Sequence, residues 1–363
     1  MVSEKDYRDG TLARQILARI ALDMEGVPPI RLMEVCGTHT ISIGRCGLRR
    51  AVPQNLKLLS GPGCPVCVTP AGEVDSALAL ARIPGVTIAT FGDMVRVPGS
   101  DSTLAEERAR GADVRVLFSP IEAVELAEST DRQVVLLGVG FETTAPGVAI
   151  AVAEAKRREL GNFTVLCTHK RLMPALEALM AAEDVAIDGL LAPGHVSTVI
   201  GWGAYREFVA RHRVPCVVAG FEPHEMLRAI LALVRQLAEG RAEVENAYPE
   251  AVTEEGNLRA LAAIDEVFEP TDAEWRGLGV IPQGGMTLRP AYADLDATTR
   301  FGIAIEEGHE DPRCHCGEVL RGAMRPPECA AFGHACTPAH PLGPCMVSSE
   351  GACAAAYKYG GAR

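Results

Sequence analysis

Long apolar runs are missing from this 363-residue chain. No stretch approaches the roughly 18 uninterrupted apolar residues of a membrane span, so no membrane partner is expected. The opening MVSEKDYRDG is too charged for the apolar core of a signal peptide, and a cytoplasmic location is expected. Aromatic residues are scarce at 5%, and 35 Lys and Arg face 47 Asp and Glu for a net charge of −12. A phosphate-tracking surface needs a basic face and stacking rings, so no nucleic-acid partner is expected. Nucleotide signatures are also thin: there is no P-loop, and GVGFETT lacks the third glycine of a dinucleotide fingerprint.

What is present is a packed chain, 48% hydrophobic and 23% charged, long enough for two to three domains at about 150 residues each. Cysteine is abundant, with 12 residues. In a reducing compartment such thiols point to metal or redox chemistry rather than to structural disulfides. They fall in two groups. Cys36, Cys46, Cys64 and Cys67 lie early, and Cys314, Cys316, Cys329, Cys336, Cys345 and Cys353 crowd the last fifty residues. Cys167 and Cys216 stand alone inside apolar runs and read as core residues.

The first two thirds repeat one pattern, in which a short aliphatic run leads through a Gly/Pro-rich turn into an amphipathic stretch. VTIATFG, VRVLFSP, VVLLGVG, FTVLC, GLLAPG and VPCVVAG are such runs, and APGVAIAVAEAKRREL is such a stretch. The alternation predicts parallel β-α units. Ser119-Pro120-Ile121-Glu122 reads as a capping box, and Thr69-Pro70 as a second helix start. Beyond about residue 240 the pattern changes. EGRAEVENAYPEAVTEEGN reads as a polar helix and connector, and the chain after residue 305 has too few large apolar residues to hold itself by burial. A metal centre is the natural anchor for it.

Polar residues at strand ends are the next candidates, because ligands of open parallel sheets gather there. Glu142 in GFETTAP, His195 in APGHVS and Glu222 in AGFEP occupy such positions, and Gly-Phe-Glu occurs in both the first and the third. Each also reads as an ordinary loop residue bonded to nearby backbone. GPGCPVC sets Cys64 and Cys67 three residues apart in a stiff turn, able to form a disulfide, clamp a metal or present a thiolate. A zinc site completed by Cys36 or Cys46 and a merely buried pair are the competing readings. EVCGTHT places His39 three residues after Cys36, a spacing that suits one shared site, while Cys46 reads as structural. Cys329, Cys336, Cys345 and Cys353, spaced by 7, 9 and 8, match neither a zinc ribbon nor a compact ferredoxin run. Cys314-His315-Cys316 offers another ligand or a second dithiol.

Taken in order, MEVCGTHT, GPGCPVCVTP, FGDMVRVPGS, GFETTAP, LLAPGHVS, AGFEP, CGEVLRG, CAAFGHACTP and PLGPCMVSSEGAC resemble the HypD family of hydrogenase maturation proteins. The resemblance runs from about residue 31 to residue 357. It implies an α/β fold with two Rossmann-like parallel-sheet domains plus a smaller Cys-rich domain holding a 4Fe-4S iron-sulfur cluster. The divisions expected are 1–125 with the Cys36 and Cys64/Cys67 loops, 126–240 as the second Rossmann-like unit, and 241–363 as connector and Cys-rich domain.

The resemblance further implies a scaffold on which the iron of the [NiFe]-hydrogenase site acquires cyanide and carbon monoxide. The HypC chaperone would be its partner, HypE its cyanide donor through a cysteine-borne thiocyanate, and the hydrogenase large subunit an indirect partner. Cys36 would bind the nascent iron, and Cys64 and Cys67 would be the essential dithiol. The cluster ligands expected are Cys329, Cys336, Cys345 and Cys353, with the choice among the six late cysteines left open. His39 can hold Cys36 as thiolate, and Glu142, His195 and Glu222 can bond cyanide nitrogens or move protons. Two other readings compete: a free-standing cluster-dependent protein disulfide reductase, and a structural zinc platform.

Overall fold

The computed structural model describes residues 10–182 and 184–360. Its strands are β1 (Ile30–Glu34), β2 (Leu56–Ser60), β3 (Val86–Thr90), β4 (Asp113–Val116), β5 (Gln133–Gly138), β6 (Phe163–Cys167), β7 (Gly189–Pro193), β8 (Cys216–Ala219), β9 (Val244–Asn246), β10 (Phe268–Trp275) and β11 (Gly279–Leu288). One parallel sheet has the order β2-β1-β7-β8-β9 and the other β4-β3-β5-β6, while β10 and β11 form an antiparallel hairpin. Every residue of β3, β7 and β8 is buried, as expected for aliphatic and β-branched runs covered by helices on both faces.

The sheets do not follow contiguous thirds of the chain. β1 and β2 begin the first sheet, the chain then builds the whole second sheet, and β7 returns to pair Glu34 with Leu191. The boundary expected near residue 125 falls between β4 and β5, which flank β3 in one sheet. The boundary expected at 240 precedes β9, which pairs Val244 with Cys216 and so belongs to the first sheet.

Three local expectations are corrected. EGRAEVENAYPEAVTEEGN supplies edge strand β9 and turns; the helix comes afterwards at Leu258–Val267, where Asn257 Oδ1 accepts from the N–H groups of Arg259 and Ala260. Ser119 is not a cap, because Glu122 reaches one residue further back to accept from the Phe118 N–H at 3.2 Å. The helix Ala71–Ala81 does start after Thr69-Pro70, but Pro70 is its N-cap and the Thr69 hydroxyl donates backward to the Pro65 carbonyl at 2.9 Å.

The largest apolar cluster joins Val35, Cys64, Cys67, Phe141, Tyr205 and Trp275 to Cys316 and Cys345 of the tail. The tail's own cluster is small, built on Ala331, Cys336 and Met346. Among the described residues no helix is long and apolar enough to cross a membrane.

Candidate functional site

Cys36 ends the turn after β1 and is the N-cap of the helix Gly37–Arg45. Its thiol therefore faces free backbone N–H groups, those of His39 and Thr38. Burial nevertheless dominates and pushes the thiol up to about 12, helped by the nearby Glu34 and Glu350 carboxylates. Glu34 lies beneath, accepting from the Cys36 N–H at 3.2 Å and the Thr40 hydroxyl at 2.5 Å. Its own burial pushes it up to about 7, against the pull of Arg49.

The Cys64/Cys67 loop is locked onto this turn. Gly61 N–H donates to the Glu34 carbonyl at 2.7 Å, and Gly37 N–H donates to the Gly63 carbonyl at 3.0 Å. A Cβ at Gly63 would stand 2.1 Å from the Cys36 nitrogen, so only glycine permits the approach. Cys64 and Cys67 are joined as a disulfide across a Cα–Cα distance of 5.2 Å. Both are buried, Cys64 at the N-cap of the short helix Pro65–Val68, where its sulfur accepts from the Cys67 N–H at 3.2 Å.

The His39 ring turns away from the Cys36 thiol. Its Nε2 donates to the Gly220 and Ala219 carbonyls at 2.9 and 3.2 Å, and its Nδ1 is buried without a hydrogen-bond partner. Burial holds its pKa down to about 4, so the ring is neutral. What His39 offers Cys36 is its backbone N–H. His195, in the first turn of the helix Gly194–Ile200, stacks on Phe221 at 4.0 Å, and Phe221 also meets the His39 ring at 5.0 Å. The loop ends of β1, β7 and β8 are thus tied by one His-Phe-His stack.

The two glutamates of the Gly-Phe-Glu echo part company. Glu142 is buried on the side of the second sheet, where its Oε1 accepts from the Leu172 N–H at 2.9 Å. It lines a cavity of about 230 Å³ with Arg171, Phe268 and Met286. Glu222 precedes the helix Pro223–Ala238, but it is Glu225 that accepts the N–H groups of Phe221 and Glu222, at 2.8 and 3.0 Å. Cys167 is half-buried at the end of β6, 3.4 Å from His169 Nδ1, and Cys216 is wholly buried in β8.

Glu350 was not singled out from the sequence, although it lies within PLGPCMVSSEGAC. Its carboxylate accepts from the Thr38 hydroxyl at 2.8 Å, beside Cys36, and its charge acts on both Cys36 and His195. Two residues earlier, Ser348 donates to Asp93 at 3.1 Å near the end of β3. The tail segment therefore touches the loop ends of both sheets.

Several of the late cysteines lie side by side. Cys316 and Cys345 have their sulfurs 2.7 Å apart. Cys314 adjoins Cys316, Cys353 adjoins Cys345, and Cys336 packs with Cys329 and Cys353. Among the described residues, no group of three or more His, Cys, Asp or Glu side chains already closes on one metal ion.

Known proteins give this arrangement its context. The sequence profile described as HypD, hydrogenase formation hypA family, matches residues 11–360. The chain is 49% identical to the hydrogenase maturation factor HypD of Azotobacter vinelandii, over 98% of this chain and 96% of that one. It is 47% identical to the hydrogenase expression/formation protein HupD of Azotobacter chroococcum, over 98% and 96%, and 47% identical to the hydrogenase maturation factor HypD of Escherichia coli, over 91% and 89%. With the profile spanning nearly its whole length and the relatives aligned from end to end, this chain belongs to the HypD family of hydrogenase maturation factors.

Proposed function

We propose that this chain is the cytoplasmic scaffold, working with HypC, on which an iron bound at Cys36 receives cyanide and carbon monoxide. The observation that carries the reading is the interlock of the Cys36 turn with the Cys64/Cys67 loop through Gly63, with Glu350 laid over it from the tail. A thiol held protonated by burial stays inert until a cation arrives; iron binding then displaces its proton, and Glu350 is a polar group beside it that can take that proton. Thiolate ligation suits a soft iron centre carrying cyanide and carbon monoxide.

Cyanide delivered as a thiocyanate on HypE is released by two electrons. Cys64 and Cys67 supply them: their S–S bond forms, the carrier's S–C bond breaks, cyanide passes to the iron, and of the two thiol protons one goes to the carrier sulfur and the other is released. The disulfide in the structure corresponds to the spent state of that pair.

In the tail, four thiolates that each bind a different iron of a 4Fe-4S cluster stand well apart, since each metal–sulfur bond is about 2.3 Å long. Sulfurs 2.7 Å apart do not fit two such ligands, so Cys345 leaves the expected set and pairs with Cys316. Cys314, Cys329, Cys336 and Cys353 are then the residues that would hold the cluster, and they fit it by number and donor type. Such a cluster supplies electrons singly. The Cys316–Cys345 pair, in the same apolar cluster as Cys64 and Cys67, is placed to pass electrons two at a time to that loop.

The test is infrared spectroscopy of an anaerobically assembled HypC complex. Iron-bound cyanide and carbon monoxide stretches are expected with the native chain and absent with Cys36→Ala. Bands of full intensity in Cys36→Ala would remove Cys36 as the iron ligand.

A further inference from the structure

Arg276, in the turn between β10 and β11, is a buried cation that the proposed chemistry leaves unused. Its backbone N–H donates to the Val68 carbonyl at 2.9 Å and its Nε to the Thr69 carbonyl at 3.0 Å, the two residues that follow Cys67. Its Nη1 pairs with Glu310 at 2.8 Å, and its Nη2 is buried with no hydrogen-bond partner. The next residue closes the other side. Gly277 has φ +81°, and a Cβ on it would stand 2.4 Å from Gly317 Cα, directly after Cys316. Arg321, from the Cys316–Leu320 helix end, donates to the Gly277 carbonyl. The hairpin turn is thus wedged between the Cys64/Cys67 loop and the start of the Cys316 helix.

Buried guanidinium groups are costly unless their donors are met, and burial strengthens any charge interaction they do make. Around Arg276 the groups its charge acts on are Glu73, Glu310, Cys314 and Cys316. Glu73 is already engaged by Lys170, and Glu310 is 38% exposed at its side chain. The sulfur side is where an acceptor for Nη2 can arise.

We propose that Arg276 is a positioning residue for thiol exchange, tying the backbone after Cys67 to the Cys316 helix and favouring the reduced state of the Cys316–Cys345 pair. The proposal rests on reading Cys316 and Cys345 as an exchanging pair. Reduction by glutathione is balanced as the protein disulfide plus two glutathione thiols giving two protein thiols plus glutathione disulfide. Cys316 opens the helix against which the Arg276–Gly277 turn is packed, so the sulfur freed there lies in the field of a fixed cation that the disulfide does not need.

The experiment uses the full-length chain purified anaerobically, equilibrated in a series of glutathione redox buffers, with each cysteine pair quantified by differential alkylation and mass spectrometry. Arg276→Gln is expected to shift the Cys316–Cys345 equilibrium about tenfold toward the disulfide, which is about 30 mV for a two-electron couple. Arg276→Lys keeps the charge and is expected to recover most of that shift, which a purely structural role would not produce. Visible absorbance and circular dichroism report whether each variant is folded. An Arg276→Gln ratio within twofold of the native chain overturns the role of Arg276 while leaving the pair intact. A native chain that forms no Cys316–Cys345 disulfide in any buffer overturns the pair itself, and the proposal with it.

Discussion

Cys64 and Cys67 at one end of the chain and Cys329 and Cys336 at the other are held in opposite ways. Cys64 and Cys67 sit in the largest apolar cluster, on a loop pinned by strand ends and by backbone contact at Gly63. Removing their sulfur leaves that framework standing. The tail around Cys329 and Cys336 has a cluster of only a few residues and little regular structure. With the proposed cluster there, the fold would depend on what the sulfurs bind. In one region the fold positions the thiols; in the other, on that proposal, the thiols would position the fold.

The largest effect should come from breaking the second half of that contrast. Cys336→Ala should lose most iron and acid-labile sulfide and expose the chain after about residue 305 to limited proteolysis, because ligation there substitutes for a core. Cys64→Ser should keep the cluster and the protease resistance while stopping cyanide transfer. Equal proteolysis of the two variants would erase the distinction.

Gly63→Ala attacks the pinning directly. The added Cβ meets the Cys36 nitrogen and the Val35 carbonyl carbon at 2.1 and 2.2 Å, both backbone atoms that cannot swing aside. A loss of at least about 2 kcal/mol in chemical denaturation is expected, together with loss of the iron-bound infrared bands. A stable variant with normal bands would mean that the two loops do not need this contact.

A smaller effect is pH-dependent. His39 has a folded pKa of about 4 against an ordinary 6.5, so its contribution is present above pH 6.5 and is lost as pH falls toward 4. Glu34 runs the other way, its contribution being full below 4.5 and lost as pH rises through about 7. Comparing His39→Asn with the native chain at pH 7.5 and 4.5 isolates the first: the variant should lose less stability on acidification, by about 3 kcal/mol at most. Identical acid sensitivity would show that the ring is not buried neutral.

The smallest effect sharpens the comparison from the other side. Cys46 is exposed, outside either sulfur site, and Cys46→Ser should change stability by no more than about 0.5 kcal/mol with full maturation activity.

Much of the framework was legible because aliphatic runs such as GLLAP and VVLLG can be strands buried on both faces, and they became β7 and β5. The partition of strands between sheets was not legible, since β1 pairs with β7 across more than a hundred intervening residues and no local pattern encodes that choice. The β10–β11 hairpin was missed because β10 alternates with acidic residues and proline and reads as connector. Cys36, Cys64, Cys67, His39 and His195 were found as motif residues, and they do gather at one set of strand ends. Glu142 shares the motif style, and its loop ends a strand of the other sheet. Glu350 and Arg276 act through long-range contacts, one to Thr38 and the other to Val68 and Thr69, and isolated charges give no sequence signal for such reach.

The central claim is that the late cysteines divide into four that hold the tail and two that exchange. The most direct test is iron and acid-labile sulfide content of anaerobically purified Cys314→Ala and Cys345→Ala. The account predicts about four irons and four sulfides per chain in Cys345→Ala and a clear loss of both in Cys314→Ala. Retention in Cys314→Ala with loss in Cys345→Ala would contradict it.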